Sequence, residues 1–429
     1  MNPATSPSAP SRSKAVSKFR WIVCGLLFFA TTINYIDRQI LSLLKPILDD
    51  QLGWTSTQFG AINSAFQAAY GISLFGFGWF IDRHGTKIGY AISILAWSLA
   101  AMGHALVFSI SGFFVARIAL GLGEGGNFPA AIKATAQWFP KRERAFATSL
   151  FNSGANVGAI LAPAVVPPIA YALGWHWAFI FAGIAGLVWI VFWWLLFDRP
   201  EDSKRVSASE LAYIEADGSD PGDAGVSWGA ILRHREAWSF IAAKFLTDPV
   251  WWFFLIWLPD FFKKTRGLDI KHSWTLLVSI YSIITVLSIL GGWVTGYLTG
   301  LGWSVTRARK TGMLAFALCV LPIAFVTLVG DWTAVLLIGL AGAAHQAWSA
   351  NLFTTVSDMF PKRAVATLTG VGSTAGSLGG MAFPLLTGIV LDQFVNGYAI
   401  IFGFCSVSYL IAFGVNQVLA PSFEPLKMK

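Results

Sequence analysis

Charged side chains stranded in apolar sequence are where this chain could do chemistry. The run Asn34-Tyr35-Ile36-Asp37-Arg38 sets an acid beside a base inside a hydrophobic stretch, and Arg117 and Glu124 stand seven residues apart in another. Seven residues make two helical turns, so these two share one face about 10 Å apart along the axis. Gly121 and Gly123 leave that face open. Ionisable groups are costly in hydrocarbon, so inside a membrane they default to functional hypotheses. A guanidinium keeps its proton at any working pH and grips a carboxylate with two parallel hydrogen bonds, making Arg38 and Arg117 candidate anion anchors. The alternative is that Asp37 and Arg117, or Arg38 and Glu124, are buried ion pairs that only fix helix packing. Two acids would balance two bases with no guest present.

Neutral hydrogen-bonding residues recur at helical spacing around these charges. Asn63, Gln67 and Tyr70 fall at i, i+4 and i+7, and Asn152 and Asn156 at i and i+4. Gln346 and Ser349 follow in the second half, then Ser373 and Ser377, while Tyr35 and Trp251 or Trp252 offer faces for a ring to stack on. Each could read a polar guest or hydrogen-bond another helix. Lys244 precedes Asp248 by one turn, and Pro249 is expected to break that helix, as in discontinuous midplane sites; alternatively Lys244 snorkels to the interface. Lys133, nearer a helix end, is read as snorkelling. His345 either packs through a hydrogen bond or titrates.

The elements that must position these residues are membrane helices. The 429 residues are 55% hydrophobic and only 12% charged, about half the charge of a soluble domain. Twelve hydrophobic runs, each long enough for about 30 Å of hydrocarbon, cover 21–44, 58–81, 88–108, 110–138, 145–172, 176–197, 238–262, 274–299, 311–330, 332–358, 365–391 and 397–419. The first run lacks a small-residue cleavage site and reads as a retained helix. Cys24, Cys319 and Cys405 all lie in apolar runs, so neither a disulfide framework nor a metal site is expected.

The net charge of +8 does not call for nucleic acid. With the N-terminus inside, most Lys and Arg residues fall in cytoplasmic segments, and Lys45, Lys263, Lys264, Arg266 and Lys271 outside. That asymmetry places both termini in the cytoplasm, although four basic residues clustered in one outside loop, 260–273, run against it.

The polar stretch 198–237 divides the chain six helices from six. Phe139-Pro140-Lys141-Arg142 returns as Phe360-Pro361-Lys362-Arg363, each followed by Ala-Thr and a Gly-rich helix. A spacing of about 221 residues suits a duplicated six-helix bundle rather than a solenoid. The expected organisation is a disordered cytoplasmic tail at 1–20, bundles at 21–197 and 238–419, a cytoplasmic linker at 198–237 and a tail at 420–429. The two Gly-rich helices are expected to form a moving seam between the halves.

Gly78-Trp79-Phe80-Ile81-Asp82-Arg83-His84-Gly85-Thr86-Lys87 has the form GxxxDRxGxK and resembles the loop signature of the major facilitator superfamily. Gly78 would admit a neighbouring helix, Asp82 face a helix N-terminus, Gly85 turn the chain, and Arg83 and Lys87 complete a two-state cytoplasmic gate. In the second half Gly300 stands where the acid would fall, which predicts a weaker gate there.

YxDR in the first run with RxxxGxGE in the fourth is similar to the anion:cation symporter family of that superfamily. Residues 121–145, 244–259 and 344–361 look like its bacterial hexuronate transporters. The resemblance covers essentially the whole chain. It implies an all-α fold of twelve transmembrane helices in two pseudo-symmetric bundles, in the bacterial inner membrane. It further implies a small sugar acid as substrate, protons as co-substrate through Asp37 and Glu124, alternating access, no cofactor, and a functional monomer among lipids. Substrate binding is then expected from Tyr35, Arg38, Gln67, Tyr70, Arg117, Asn156, Lys244, Gln346, Ser349 and Ser373. An aldonate such as galactonate, tartrate or an aromatic acid stays open as substrate. A membrane enzyme is disfavoured, since neither HExxH nor paired Cys motifs occur. A non-transporting sensor would need an output domain, and the longest loop holds about 40 residues.

Overall fold

A computed structural model describes residues 18–215 and 228–426. The expected tail at 1–20 and the middle of the linker therefore lie largely outside the described residues. Helices α1 (Phe19–Leu52), α2 (Ser56–His84), α3 (Thr86–His104), α4 (Ile110–Glu124), α5 (Asn127–Trp138), α6 (Lys141–Leu173) and α7 (Trp175–Leu196) build the first half. Short helices α8 (Ala208–Glu215) and α9 (Trp228–Leu232) lie in the linker. The second half comprises α10 (Arg235–Arg266), α11 (Ile270–Gly300), α12 (Val305–Val320) with a 3-10 continuation Leu321–Leu328, α13 (Asp331–Met359), α14 (Lys362–Gln393) and α15 (Gly397–Leu419).

Helices α4 and α5 form one rod, because Gly125 and Gly126 between them keep right-handed helical backbone angles. The described residues thus make twelve membrane-length rods in two sets of six. Eight helices are long and apolar enough to cross a membrane by composition alone. The other four rods are α2, α3, the divided α4–α5 rod, and α13; α2 carries the buried amides Asn63 and Gln67, and α13 the cavity residues His345 and Gln346. Local chemistry sets the ends. Thr55 and Gln58 form a reciprocal capping box on α2, and Ser109 and Ser304 cap α4 and α12. Gly53 and Gly267 close α1 and α10 in the left-handed conformation, at φ 59° and 66°.

Several expectations change. Helix α10 runs unbroken through Pro249 and Pro259; neighbouring helices can satisfy the groups a proline frees in a membrane, so there is no discontinuous helix here. Helix α1 extends to Leu52, which moves Lys45 from a loop into buried helix. The Gly-rich seam lies within each half: a Cβ at Gly154 or Gly158 would strike α1, and one at Gly372, Gly376, Gly379 or Gly380 would strike α10. The chain after α15 is docked, with Phe423 N–H donating to Thr306 Oγ1 at 3.0 Å and Leu426 N–H to the Met359 carbonyl at 2.7 Å. Linker helix α8 is also anchored, since buried Glu210 accepts from the Phe19 and Arg20 N–H groups and pairs with the Arg20 guanidinium at 3.1 Å.

The start of α1 and the end of α15 mark a terminal face; the opposite, distal face is where the halves lock together. Helix α2 runs against α14, and α1 against α10. A Cβ on Gly60 would collide with the Pro384 carbonyl, and one on Gly388 with the Ser56 carbonyl. Gly60→Leu is therefore expected to hold the distal face apart. A cysteine introduced at buried Ser42 should then react with a membrane-impermeant thiol reagent several-fold faster.

Polar groups reinforce this closure. Asp392 of α14 accepts from the Ser56 and Thr57 N–H groups at 3.0 and 2.7 Å, completing the N-terminus of α2 across the interface. Buried Lys45 bonds Asp49 at 2.8 Å and, across the halves, Asp260 at 2.7 Å, while Tyr398 donates to the other Asp260 oxygen at 2.5 Å. Lys263 reaches the Pro46 carbonyl and Asp50, Lys264 donates to Ser56 Oγ at 2.7 Å, and Arg266 pairs with Asp331 at 2.7 Å. The basic cluster at the end of α10 thus has local acidic and carbonyl partners, which explains how it can sit against the charge asymmetry. Removing one member of a buried ion pair typically costs about 3–5 kcal/mol. Lys45→Met should therefore shift the protein towards a distally open state, raising the reactivity of Ser42→Cys in the same assay, whereas unchanged labelling would mean the pair does not hold the face shut.

Candidate functional site

The membrane charges gather where α1, α2 and α4 meet. Arg38 Nε donates to Glu124 Oε2 at 2.6 Å. Arg117 Nη2 donates to the Arg38 carbonyl at 2.8 Å and to Asn63 Oδ1 at 3.2 Å. Of the two ion pairs that the structural alternative offers, Arg38–Glu124 forms and Asp37–Arg117 makes no hydrogen bond. Both Asp37 carboxylate oxygens are buried without a hydrogen-bond partner among the described residues, and so are Arg117 Nε and Nη1 and Gln67 Nε2. Buried polar groups are normally satisfied, so orphaned ones ask for an explanation. Here they amount to spare donors and an acid with spare acceptor capacity in one cluster.

Aromatic rings connect this cluster to open space. The Arg38 guanidinium lies 4.3 Å from the Tyr70 ring centre, 5.2 Å from Tyr35 and 5.7 Å from Trp252, a cation–π arrangement that supports a desolvated charge. Tyr35 and Trp252 are also walls of a cavity of about 360 Å³ between the halves, within the size range of small-molecule sites. Arg38 is 7% exposed and Glu124 0%; neither lines the cavity, and Arg38 adjoins it through Tyr35 and Trp252.

The first-half wall of the cavity comprises Tyr35, Ser149, Asn152, Ser153, Ala155 and Asn156; the second-half wall comprises Lys244, Asp248, Trp251, Trp252, His345, Gln346 and Ser349. Ser149 and Asn152, nearest the terminal face, are exposed. Lys244 faces the cavity rather than the interface: it is paired with Asp248 at 2.7 Å and lies 4.5 Å from the Phe353 ring centre. His345 shares a 2.6 Å hydrogen bond with the Tyr409 hydroxyl through Nδ1 and stacks on Trp251 at 5.6 Å.

Among the expected binding residues, Tyr35, Asn156, Lys244, Gln346 and Ser349 line the cavity. Arg38, Tyr70 and Arg117 belong to the adjoining cluster, joined by Asn63, while Gln67 is buried on the same helix face. Ser373 lies on α14, exposed and away from the lining. Ser149 and Ser153 belong to no motif, and their only signal in the sequence is their position about one helical turn from Asn152 and Asn156. For Asp248 the spacing signals only a partner for Lys244 one turn earlier.

In the gate motif, exposed Asp82 pairs with Lys133 at 2.7 Å and Lys87 with Asp198 at 2.7 Å, while Arg83 sits 5.6 Å from the Trp79 ring centre. Lys133 therefore serves an ion pair instead of merely snorkelling. Gly85 turns the chain at φ 86°. A Cβ at Gly78 would meet nothing within 4 Å, so no helix approaches there. In the second half, the missing acid is supplied from elsewhere: Arg309 pairs with Asp358 of α13 at 2.9 Å.

Two six-rod helical halves with a polar cavity between them have the architecture of a multi-pass membrane transporter. The sequence pattern of the Major Facilitator Superfamily matches residues 27–384. The chain is 30% identical over 409 residues to a hexuronate transporter of Escherichia coli (strain K12), spanning 93% of both. It is 27% identical to a D-galactonate transporter of Escherichia coli O6:H1, spanning 92% of this chain and 94% of the relative. In structure it is similar to a bacterial homologue of the human lysosomal transporter Spinster, in an inward-facing and occupied conformation. That match has a TM-score of 0.76 at 16% identity and covers 95% of this chain and 98% of that one. The chain belongs to the major facilitator superfamily.

Proposed function

We propose that this transporter imports a hexuronate, galacturonate or glucuronate, together with protons across the bacterial inner membrane. The observation that carries the reading is the Arg38–Glu124 pair, one aromatic ring from the cavity and backed by an unpartnered Asp37. A carboxylate guest can take Arg38 only when Glu124 gives it up, and a proton on Glu124 makes that exchange possible. Loss of hydration by the guest is offset by the guanidinium fork and by the amides and hydroxyls of the walls. Asp37 is the second proton carrier, and Arg117 holds the cluster's positive charge.

With both termini cytoplasmic, the closed distal face is the outside and the cavity opens inward. The halves, 21–197 and 238–419, rock about the site as a monomer, and the Gly78, Asp82, Arg83, Gly85 and Lys87 loop closes the inside when they do. The name and coverage of the hexuronate relative support the substrate class. The similarity to a galactonate transporter keeps an aldonate as the second reading. Uptake of labelled galacturonate, glucuronate and galactonate by proteoliposomes tests both: saturable uptake of a hexuronate supports the first reading, uptake of galactonate alone the second, and binding without flux would overturn transport.

A further inference from the structure

The cavity presents an apparent contradiction for an anion carrier. Of the two ionised residues in its lining, the acid is the more exposed: the Asp248 side chain is 18% exposed and that of Lys244 7%. Lys244 is drawn back over the Phe353 ring and held by Asp248 at 2.7 Å. Gly376 leaves room for this arrangement, since a Cβ there would collide with Asp248 Oδ2. A guest carboxylate brought to this wall would meet a carboxylate first, whereas towards Tyr35 and Trp252 it approaches Arg38.

We infer that Lys244 and Asp248 form a neutral pair that reads hydroxyl groups, and that Asp248 is a specificity-determining residue selecting polyhydroxylated acids over plain carboxylic acids. The guest lies with its carboxylate towards Arg38 and its hydroxyls towards α10. Asp248 accepts from the hydroxyls in charge-assisted hydrogen bonds, about twice as strong as neutral ones. Lys244 cancels the negative charge that would otherwise repel the guest. A carboxylic acid without hydroxyls leaves Asp248 desolvated with only Lys244 to satisfy it. Sites built to hydrogen-bond a hydroxyl can reject analogues lacking it by about 10⁴-fold. This inference rests on the hexuronate reading above.

The test is competition against labelled galacturonate bound to the purified full-length protein, by unlabelled galacturonate and by cyclohexanecarboxylate. The latter is a ring of similar size with one carboxylate and no hydroxyls. Wild type is expected to prefer galacturonate by at least about a hundredfold, and Asp248→Asn to narrow that preference by about tenfold or more, with cyclohexanecarboxylate gaining as galacturonate weakens. Asp248→Ser, smaller and equally neutral, should narrow it likewise and serves if the asparagine variant does not fold. A merely structural role would weaken both ligands together and leave their ratio unchanged; an unchanged ratio in a folded variant overturns the inference alone. If wild type binds no hexuronate, the reading beneath it fails as well.

Discussion

Glu124→Gln is expected to abolish accumulation of substrate against a gradient while leaving exchange of labelled for unlabelled substrate across the membrane. Glutamine keeps the shape of glutamate and offers Arg38 a carbonyl oxygen in place of the carboxylate at 2.6 Å, so the cluster stays assembled. The side chain then permanently resembles the protonated acid. Arg38 is free for a guest at every pH, the halves still exchange with a guest aboard, and a proton on Asp37, which makes no hydrogen bond to Arg38, does not by itself decide when the guest can bind. Accumulation in proteoliposomes under an imposed pH gradient should fall to equilibration, while counterflow stays within a few-fold of wild type. Retained accumulation would remove Glu124 from the coupling step and leave Asp37 to carry it.

Arg117→Ala should cost binding outright. Its guanidinium spans the Arg38 carbonyl and Asn63 Oδ1 and lies 4.9 Å from the Phe66 ring centre. Truncation leaves Asn63 Oδ1 without its donor and deprives Asp37 and Glu124 of a neighbouring cation. Uncompensated buried charge costs about 3–5 kcal/mol, which, if expressed in affinity, is a loss of at least about a hundredfold. Arg117→Lys should also bind poorly, because an ammonium could keep the two bonds that Nη2 makes but not the spare Nε and Nη1 donors left for a guest. Equilibrium binding of labelled substrate, read beside the thermal melt, separates the two roles. A lowered melt with unchanged affinity per folded molecule would make Arg117 a packing residue.

The parts of this molecule legible from its residues are those that lipid dictates. Twelve apolar runs, the six-and-six division and the polar faces of α2 and α13 follow from length, hydropathy and helical spacing, and the structure places helices on every run. The charge cluster was legible for the same reason, since Asp37, Arg38, Arg117 and Glu124 have no business in hydrocarbon unless they serve one another or a guest. What spacing could not tell was which of them pair. Arg38 reaches Glu124 from another helix, and Asp37 beside it has no hydrogen-bond partner among the described residues.

Features set by contact between halves were invisible. Lys45 reads as the first loop residue after an apolar run, yet its partner Asp260 lies 215 positions away. The local rule for Pro249 predicts a break because it knows nothing of the helices packed around α10. Gly154 and Gly158 promise close approach without saying to which neighbour. The acid that pairs with Arg309 comes from α13, outside the motif where one would look for it. In each case the sequence carries the capacity and the fold chooses the partner.

The most direct test of coupling needs no mutation. Proteoliposomes with equal pH on both sides and a pH-sensitive dye inside are given galacturonate or glucuronate outside, with the membrane potential clamped. Symport predicts that the lumen acidifies at a rate that saturates with substrate and vanishes when the protein is omitted. Substrate entry with no change in luminal pH would contradict it.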